Sequence, residues 1–470
     1  MKLQYEIGMV GLGVMGRNLS LNIADHGYSV AGYDKDAGKV TALRKEAANK
    51  EISGVKSLPE FVDLLRVPRA VMLLVPAGGP VDAVIEDLLP HLAPGDLVID
   101  GGNSHFSDTD RRTAKLAERN IQFLAVGISG GEHGARCGPS IMPGGPPEAY
   151  DRVRRIFEAI AAKANEEPCV AWLGPGSAGH YVKMVHNGIE YGLMRLIAET
   201  YDFMKRGLGF TDAQMHRIFK RWNEGELKSY LVEITEDILE RIDEQTGRPI
   251  IDVILDEAGQ KGTGMWASQD AMDLQVPLPT IDIAVAMRNL SGYKREREEA
   301  ASMFHLPVRH CEDDPSRFID QLGSALYAGM IITYAQGMAL LSAASVRHGY
   351  HLNLETVARV WQGGCIIRAD LLRDFRAAFR TRADLPNLLL DPNISNKVLD
   401  RQENLRSIVC SAAQLGVPMP GLMVSLGYLD AYRSGWMPAN LIQAQRDYFG
   451  SHTYERVDSK GVFHTQWTPG

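Results

Sequence analysis

Glu6-Ile-Gly-Met-Val-Gly-Leu-Gly-Val-Met-Gly16 is the stretch on which the fold turns. Its first part, Glu6 to Val10, reads as a buried strand. Gly11-Leu-Gly13-Val14-Met15-Gly16 follows, and then a helical run from Arg17 to His26 that Gly27 stops. Strand, G-x-G-x-x-G and helix in this order make a turn that can hold a dinucleotide. The glycines allow the tight turn, close approach to a pyrophosphate and close helix–strand packing. The helix N-terminus adds free amides and positive potential.

The second strand, Tyr28 to Tyr33, ends in Asp34, at about the spacing where an acidic residue takes the ribose hydroxyls of NAD. Lys35 follows and could hold a 2′-phosphate instead, while Asp36 would repel one. Three further strands run into loops of small residues. Ala70 to Val75 leads into Pro76-Ala-Gly-Gly-Pro80, Asp96 to Asp100 into Gly101-Gly-Asn103-Ser104, and Ile121 to Val126 into Gly127-Ile-Ser129-Gly130-Gly131. Ligands of open parallel sheets sit at the carboxyl ends of strands. Val75 and Asn103 are therefore expected beside a cofactor, and Asn103 with Ser129, Gly130 and Gly131 beside a substrate. Residues 1–176 are read as an α/β, Rossmann-type dinucleotide-binding domain.

Gly174-Pro-Gly-Ser-Ala-Gly179 breaks the pattern, and the next 258 or so positions, 177–434, read as an all-helical substrate and dimerisation domain. It opens with Lys183, His186, Asn187, Glu190 and Tyr191 at i, i+3, i+4, i+7 and i+8, one face of one helix. A face that only packs a core should be apolar; burying this set without a ligand would cost several kcal/mol. Lys183 and Glu190 stand roughly 10 Å apart along the axis, suited to different atoms of one extended small molecule. Val182, Val185 and Ile189 supply a packing side. Gly188 and Gly192 inside the helix point to something approaching its backbone closely. An internal duplication is also expected: Tyr181 to Tyr201 can be laid over Leu326 to Val346, which sets Lys183 against Ala328, His186 against Ile331 and Glu190 against Ala335. The second copy keeps the helix and carries apolar residues in place of the chemistry. Between the copies, Lys261 sits in a Gly-rich loop where an ammonium and free amides could hold a phosphate, and Arg288 lies on a following helix. Residues 435–470 read as a C-terminal tail, with Arg446 and His452, that is extended from Gly461 to Gly470 and of the kind that packs on a partner subunit.

Composition sets limits on function. The chain has 470 residues, 45% apolar and 23% charged, with a net charge of −8. That balance is ordinary for a globular protein and argues against non-specific nucleic-acid binding. No uninterrupted run of about 18 apolar residues occurs, so no membrane span is expected, and the N-terminus enters a strand with no room for a signal peptide. The five cysteines, 137, 169, 311, 365 and 410, are scattered and without a CxxC pair, which suggests reduced thiols in a cytoplasmic protein. No motif suggests a metal.

Taken together, Gly11-Leu-Gly-Val-Met-Gly16, Asp100-Gly-Gly-Asn-Ser104, Ser129-Gly-Gly-Glu132, Lys183-x-x-His-Asn-x-x-Glu-Tyr191, Lys261-Gly-Thr-Gly-x-Trp266 and the run from Arg446 to His452 resemble the decarboxylating 6-phosphogluconate dehydrogenases over essentially the whole chain. The wider β-hydroxyacid dehydrogenases share the first motifs and the lysine, but not the tail. The resemblance implies oxidative decarboxylation of 6-phospho-D-gluconate to D-ribulose 5-phosphate and CO2, a step of the pentose phosphate pathway, with reduction of NADP or NAD. It implies Lys183 as general base and Glu190 as general acid. It places Ser129, Gly130, Gly131, His186 and Asn187 at the sugar-acid end with Asn103 nearby, and Tyr191, Lys261, Arg288, Arg446 and His452 at the phosphate end. The last two would come from the other subunit of a homodimer. Departures from the family pattern are Asp34-Lys35-Asp36, where Asn-Arg-Thr is common, and His105 and His133, where acidic residues are common. Two rival readings are an oxidation of a small non-phosphorylated 3-hydroxy acid, indifferent to Lys261 and Arg446, and a non-catalytic dinucleotide sensor, indifferent to Lys183.

Overall fold

Residues 4–304 and 314–467 are described by the structure, a computed structural model. Readings that rest on Met1 to Leu3, on Cys311 and on residues 468–470 lie outside them. The first half alternates strand and helix: β1 (Ile7–Val10), α1 (Val14–Asp25), β2 (Val30–Tyr33), α2 (Ala37–Ala47), β3 (Ile52–Val55), α3 (Leu58–Asp63), β4 (Ala70–Leu73), α4 (Gly79–Leu88), β5 (Leu97–Asp100), α5 (Phe106–Ala117), β6 (Gln122–Ser129), α6 (Gly131–Cys137), β7 (Ser140–Gly144) and α7 (Pro147–Ile160). These strands form one sheet in the order β3-β2-β1-β4-β5-β6-β7. All neighbours are parallel except β6 and β7. Strands β1, β4 and β5 are buried along their whole length, as a parallel sheet covered by helices on both faces requires. The chain order reverses at β1, so a crevice opens between the carboxyl ends of β1 and β4.

The second half is helical: α8 (Ala178–Asp202), α9 (Asp212–Asn223), α10 (Tyr230–Glu240), α11 (Thr263–Asp273), α12 (Pro279–Ser291), α13 (Lys294–Phe304), α14 (Ser316–His348), α15 (Leu354–Val360), α16 (Leu371–Thr381), α17 (Pro392–Leu399), α18 (Gln402–Leu415), α19 (Pro420–Tyr432) and α20 (Ala439–Gly450). Helix α9 opens on a full capping box: the Thr211 side chain and Gln214 satisfy each other's backbone amides. Helix α14 is long and apolar enough to cross a membrane, yet 72% of its most apolar window is buried inside the protein. It packs on α8, α18 and α19, so its apolarity is that of a central core helix.

The two stretches laid over one another in sequence, in α8 and α14, lie side by side. Their contact is made by small residues. A Cβ added to Gly192 would meet Thr333 at 2.6 Å, and one added to Gly337 would meet Ile189 at 2.5 Å. What approaches the backbone of α8 at Gly188 and Gly192 is therefore protein: Ala267 of α11 at 2.9 Å from a Cβ at Gly188, and Thr333 of α14. Three expectations need correction. Strand β6 runs on to Ser129, because β7, which the sequence did not announce, pairs with it up to Ser129↔Ser140. Strand β3, also unannounced, forms the far edge of the sheet. The tail is not extended throughout: Arg446 lies on α20, and a two-stranded hairpin, Tyr454–Glu455 with Val462–Phe463, follows it.

Candidate active site

The crevice at β1 is shaped for an anion. Gly11 has φ +96°, and a Cβ there would lie 2.4 Å from the Leu74 carbonyl oxygen. A Cβ at Gly16 would lie 1.9 Å from the Gly11 carbonyl oxygen, so α1 can approach the turn only with glycine there. The space at Gly13 is open. Gly13 caps α1 without a side-chain bond, and its first turn, which holds Val14 and Met15, carries no acidic residue. The N-terminal amides are thus left for a ligand, an arrangement that fits a pyrophosphate. Half-buried Val75 packs against Gly11. Asp34, after β2, accepts the Leu12 amide at 2.8 Å, and Lys35 pairs with Asp87 at 2.9 Å.

Asn103 stands exposed on the loop after β5. Beneath it Asp100 accepts the Gly102 amide at 3.0 Å and the Ser104 hydroxyl at 2.6 Å, with Arg112 3.5 Å away. His180 of α8 completes this support: its Nε2 donates to the Asp100 carbonyl at 3.0 Å, and its Nδ1 accepts the Thr109 hydroxyl at 2.7 Å. This buried network locks the Asn103 loop to α8. Sequence reading missed it because its members are scattered over residues 100–180, each unremarkable alone.

Helix α8 reaches the sheet through glycines. A Cβ at Gly127 would sit 2.4 Å from the Lys183 Cβ, one at Gly144 would sit 2.3 Å from the Gly179 amide nitrogen, and one at Gly179 would sit 2.1 Å from the Ala125 carbonyl oxygen. Backbone therefore rests on backbone, and Lys183 is delivered to the carboxyl end of β6. Lys183, His186, Asn187 and Tyr191 are buried, and Glu190 is largely so. The Lys183 Nζ lies 3.4 Å from His186 Nδ1, which lies 3.0 Å from Asn187 Oδ1 and 3.8 Å from the Glu190 carboxylate. On its other side His186 Nε2 is 3.1 Å from the Ser129 hydroxyl, which accepts the Ile366 amide at 3.4 Å. These partners fit one tautomer, with Nδ1–H donating to Asn187 and Nε2 accepting from Ser129. Asn187 in turn donates to Thr263, at the start of α11, at 3.0 Å.

Burial sets the protonation states. It lowers the Lys183 ammonium below its ordinary range, against the opposing pull of Glu190. It raises the Glu190 carboxyl, against Lys183 and Arg288. It lowers His186 well below its usual value, with Lys183 adding to the effect. The set thus favours a neutral amine, a neutral imidazole and a carboxyl ready to hold a proton. Behind it runs a loop the sequence reading passed over. The Trp361 ring meets the His186 ring edge-on at 5.8 Å, and Gly364 (φ +67°) brings its carbonyl against Gly130, where a Cβ would lie 2.4 Å from that oxygen. The pair Gly363-Gly364 was its only signal. Gly130 is buried with φ +128°, whereas Gly131 is exposed.

At the far end of the α8 face, the Arg288 guanidinium lies over the Tyr191 ring, 3.5 Å from its centroid, and donates to the Gly259 carbonyl at 3.2 Å. A Cβ at Gly264 would lie 2.4 Å from the Tyr191 ring, so this glycine lets α11 close on it. Lys261 is exposed on the loop that Arg288 holds. His105 is no electrostatic substitute for a carboxylate: its ring accepts the Ser107 amide as the cap of α5 and meets Trp266 edge-on at 5.0 Å. His133 is exposed. Arg446 and His452 are exposed on and just after α20, and among the described residues no hydrogen bond, ion pair or ring contact joins them to α8 or to the Lys261 loop. The hub of this tail is Asp447, fully buried. It accepts from the Thr453 amide at 2.9 Å, His464 at 2.9 Å, the Thr465 amide at 3.1 Å and the Trp467 indole at 2.9 Å.

Comparison with known proteins bears on the whole chain. Residues 6–174 match the family described as the NAD binding domain of 6-phosphogluconate dehydrogenase, and residues 179–467 match the 6-phosphogluconate dehydrogenase C-terminal domain. The Bacillus subtilis 6-phosphogluconate dehydrogenase, NADP(+)-dependent, decarboxylating, is 49% identical over 465 residues, 99% of each chain. A decarboxylating 6-phosphogluconate dehydrogenase of Lactococcus lactis is 50% identical over 466 residues, again 99% of each. Among solved structures, the Plasmodium falciparum 6-phosphogluconate dehydrogenase, known with its cofactor NADP+ and with its substrate 6-phosphogluconate, superposes with a TM-score of 0.95 at 43% identity, over 98% of this chain and 100% of that one. With both halves matched in order and relatives aligned from end to end, the chain belongs to the 6-phosphogluconate dehydrogenase family.

Proposed function

We propose that this protein oxidises and decarboxylates 6-phospho-D-gluconate to D-ribulose 5-phosphate and CO2, and that residues of α8 carry the acid–base chemistry. The carrying observation is one buried face of α8 on which His186 stands between Lys183, 3.4 Å away, and the Glu190 carboxylate, 3.8 Å away, with burial making the amine less basic and the carboxyl less acidic. The dinucleotide, held by Gly11 to Gly16, supplies the acceptor for the hydride that leaves C3. Neutral Lys183 takes the proton of the C3 hydroxyl as that hydride departs. The resulting 3-keto acid breaks its C1–C2 bond, and the bonding pair moves toward the C3 oxygen. The Lys183 ammonium, now protonated, stabilises that oxygen as charge develops on it. Glu190 then delivers a proton to the former C2, which is C1 of ribulose 5-phosphate. His186, held by Ser129 and Asn187, lies beside Lys183 and fixes its position, and Asn103, Ser129, Gly130 and Gly131 surround the sugar-acid end.

Tyr191, Lys261 and Arg288 form the phosphate end within one chain. Arg446 and His452 complete it from a second copy, so that the working unit is a homodimer with two shared sites. Support comes from the exposed apolar residues Leu441, Ile442, Tyr448 and Phe449 of α20, which the described residues leave largely uncovered. A cytoplasmic location fits the scattered, unpaired cysteines among the described residues. The test is absorbance at 340 nm together with CO2 release, with 6-phosphogluconate and each dinucleotide. Turnover of a non-phosphorylated 3-hydroxy acid in preference, unaffected by Lys261→Ala, would overturn the reading.

A further inference from the structure

We infer that the adenosine-ribose pocket of this chain selects NAD over NADP, through the carboxylates of Asp34 and Asp36. The inference rests on the dinucleotide-dependent reading above. Both residues follow β2, beside the turn of Gly11 to Gly16. The Asp34 carboxylate accepts the Leu12 amide on Oδ2 at 2.8 Å and the Asp36 amide on Oδ1 at 2.8 Å. Asp36 caps α2 and accepts the Gly38 amide at 2.8 Å. A 2′-phosphate at this corner would look for the same amides at the head of α2. Here the chain's own carboxylates already hold two of them, those of Asp36 and Gly38, and set two negative charges where the phosphate would have to sit.

The cations do not restore it. Lys35 pairs with Asp87 of α4 at 2.9 Å, and Lys39 lies 3.5 Å from Asp34. Three carboxylates, Asp34, Asp36 and Asp87, thus stand around two ammonium groups. Ribose hydroxyls, by contrast, need acceptors. An ionised carboxylate offers about four lone-pair sites, and Asp34 uses three, on Leu12, Asp36 and Lys39. Its side chain is 12% exposed, which leaves an edge for the 2′-hydroxyl of NAD. The Bacillus subtilis relative is NADP(+)-dependent, so the selection sets this chain apart from that relative.

The test is binding, read without turnover. NADH and NADPH are titrated separately into the protein and followed by nicotinamide fluorescence, and ADP and adenosine 2′,5′-bisphosphate are compared as displacers of NADH. Like charges brought together disfavour the 2′-phosphate, so NADH is expected to bind at least about tenfold tighter than NADPH, and ADP to displace it better than the bisphosphate. The double variant Asp34→Asn, Asp36→Thr removes both charges and keeps one side-chain acceptor oxygen at each position. It should shift the NADH-to-NADPH ratio toward NADPH by about tenfold or more. Equal or tighter binding of NADPH by the wild type overturns the inference, and so does a ratio that the double variant leaves unmoved. If neither dinucleotide binds, both this inference and the dinucleotide reading fall. Tight NADH binding without oxidation of 6-phosphogluconate overturns the proposed reaction and leaves the selection standing.

Discussion

Gly127→Ala isolates how much of the reaction depends on where α8 rests. Residue 127 lies within β6 and its φ is not in the left-handed region, so alanine is acceptable to its backbone. The difficulty is room. The new Cβ would be 2.4 Å from the Lys183 Cβ and 3.0 Å from the Gly179 carbonyl oxygen. Carbon atoms settle at about 3.5–4.0 Å, so α8 must retreat by about 1 Å at Lys183. Overpacking of this kind costs about 1–3 kcal/mol, a fall of about 2–4 °C in Tm for each kcal/mol in a domain of this size. A misplacement of about 1 Å can cost about a hundredfold in rate. Initial rates and a thermal melt check it: kcat should fall about a hundredfold, while NADH fluorescence titration gives an affinity close to wild type, because the Gly11 to Gly16 turn is untouched. A variant with kcat within threefold of wild type would refute the claim that this contact sets the lysine.

Lys183→Ala should lose oxidation and decarboxylation together, by about 10²–10⁴-fold, with dinucleotide binding intact; turnover within tenfold of wild type would sink the base assignment. Lys183→Met tests protonation without activity. The unfolded chain binds a proton on Lys183 at neutral pH and the folded chain resists it, so stability conferred by this residue rises with pH between the lowered folded pKa and the ordinary value of 10.5. The methionine variant should be more stable than wild type near pH 7 in denaturant titrations, with the advantage shrinking toward pH 10.5; a pH-independent difference counts against a depressed pKa. Glu190→Ala should be slowed about 10²–10⁴-fold at enediol protonation, and an unchanged rate with unchanged solvent-deuterium incorporation at C1 of the product would remove its role. Lys183→Ala and Arg446→Ala, unfolded and refolded together in equal amounts, should recover about a quarter of wild-type activity, since half the dimers are mixed and each carries one intact site; no recovery despite confirmed subunit exchange would exclude the shared site.

Legibility followed locality. The turn from Gly11 to Gly16 could be read because strand, glycines and helix are contiguous, and the polar face of α8 because its members recur at helical spacing. Strand β3, Ile52-Ser-Gly-Val55, was silent since it lies at the sheet edge, half exposed, with two residues of weak strand preference. Strand β7 was hidden by Pro143 and Gly144, which a terminal antiparallel strand tolerates. Helix α20 escapes a reading by periodicity because its apolar residues answer to no core among the described residues, so the period that marks a buried face has no partner here. The contacts of Gly188 and Gly192 were anticipated as close approach, but only the assembled fold tells that helices make it. The supports of the site, His180 on Asp100 and Ile366 on Ser129, join residues 80 and 237 positions apart. No sequence window contains both ends of such a bond.

The Asp447 hub has a consequence for any shortened form of this protein. Three of its four donors, His464, Thr465 and Trp467, come from the final stretch of the described chain, whereas Arg446 and His452 precede it. A chain cut after Arg456 would keep every side chain assigned to the substrate and still lose the scaffold that shapes the arm carrying two of them. In the proposed homodimer the intact arm would be folded back on itself before it meets its partner, so association would not have to supply its ordering entropy. That cut would thus convert a rigid arm into a floppy one, and the loss would show as slower, weaker pairing of the proposed subunits while helix α8 remained whole.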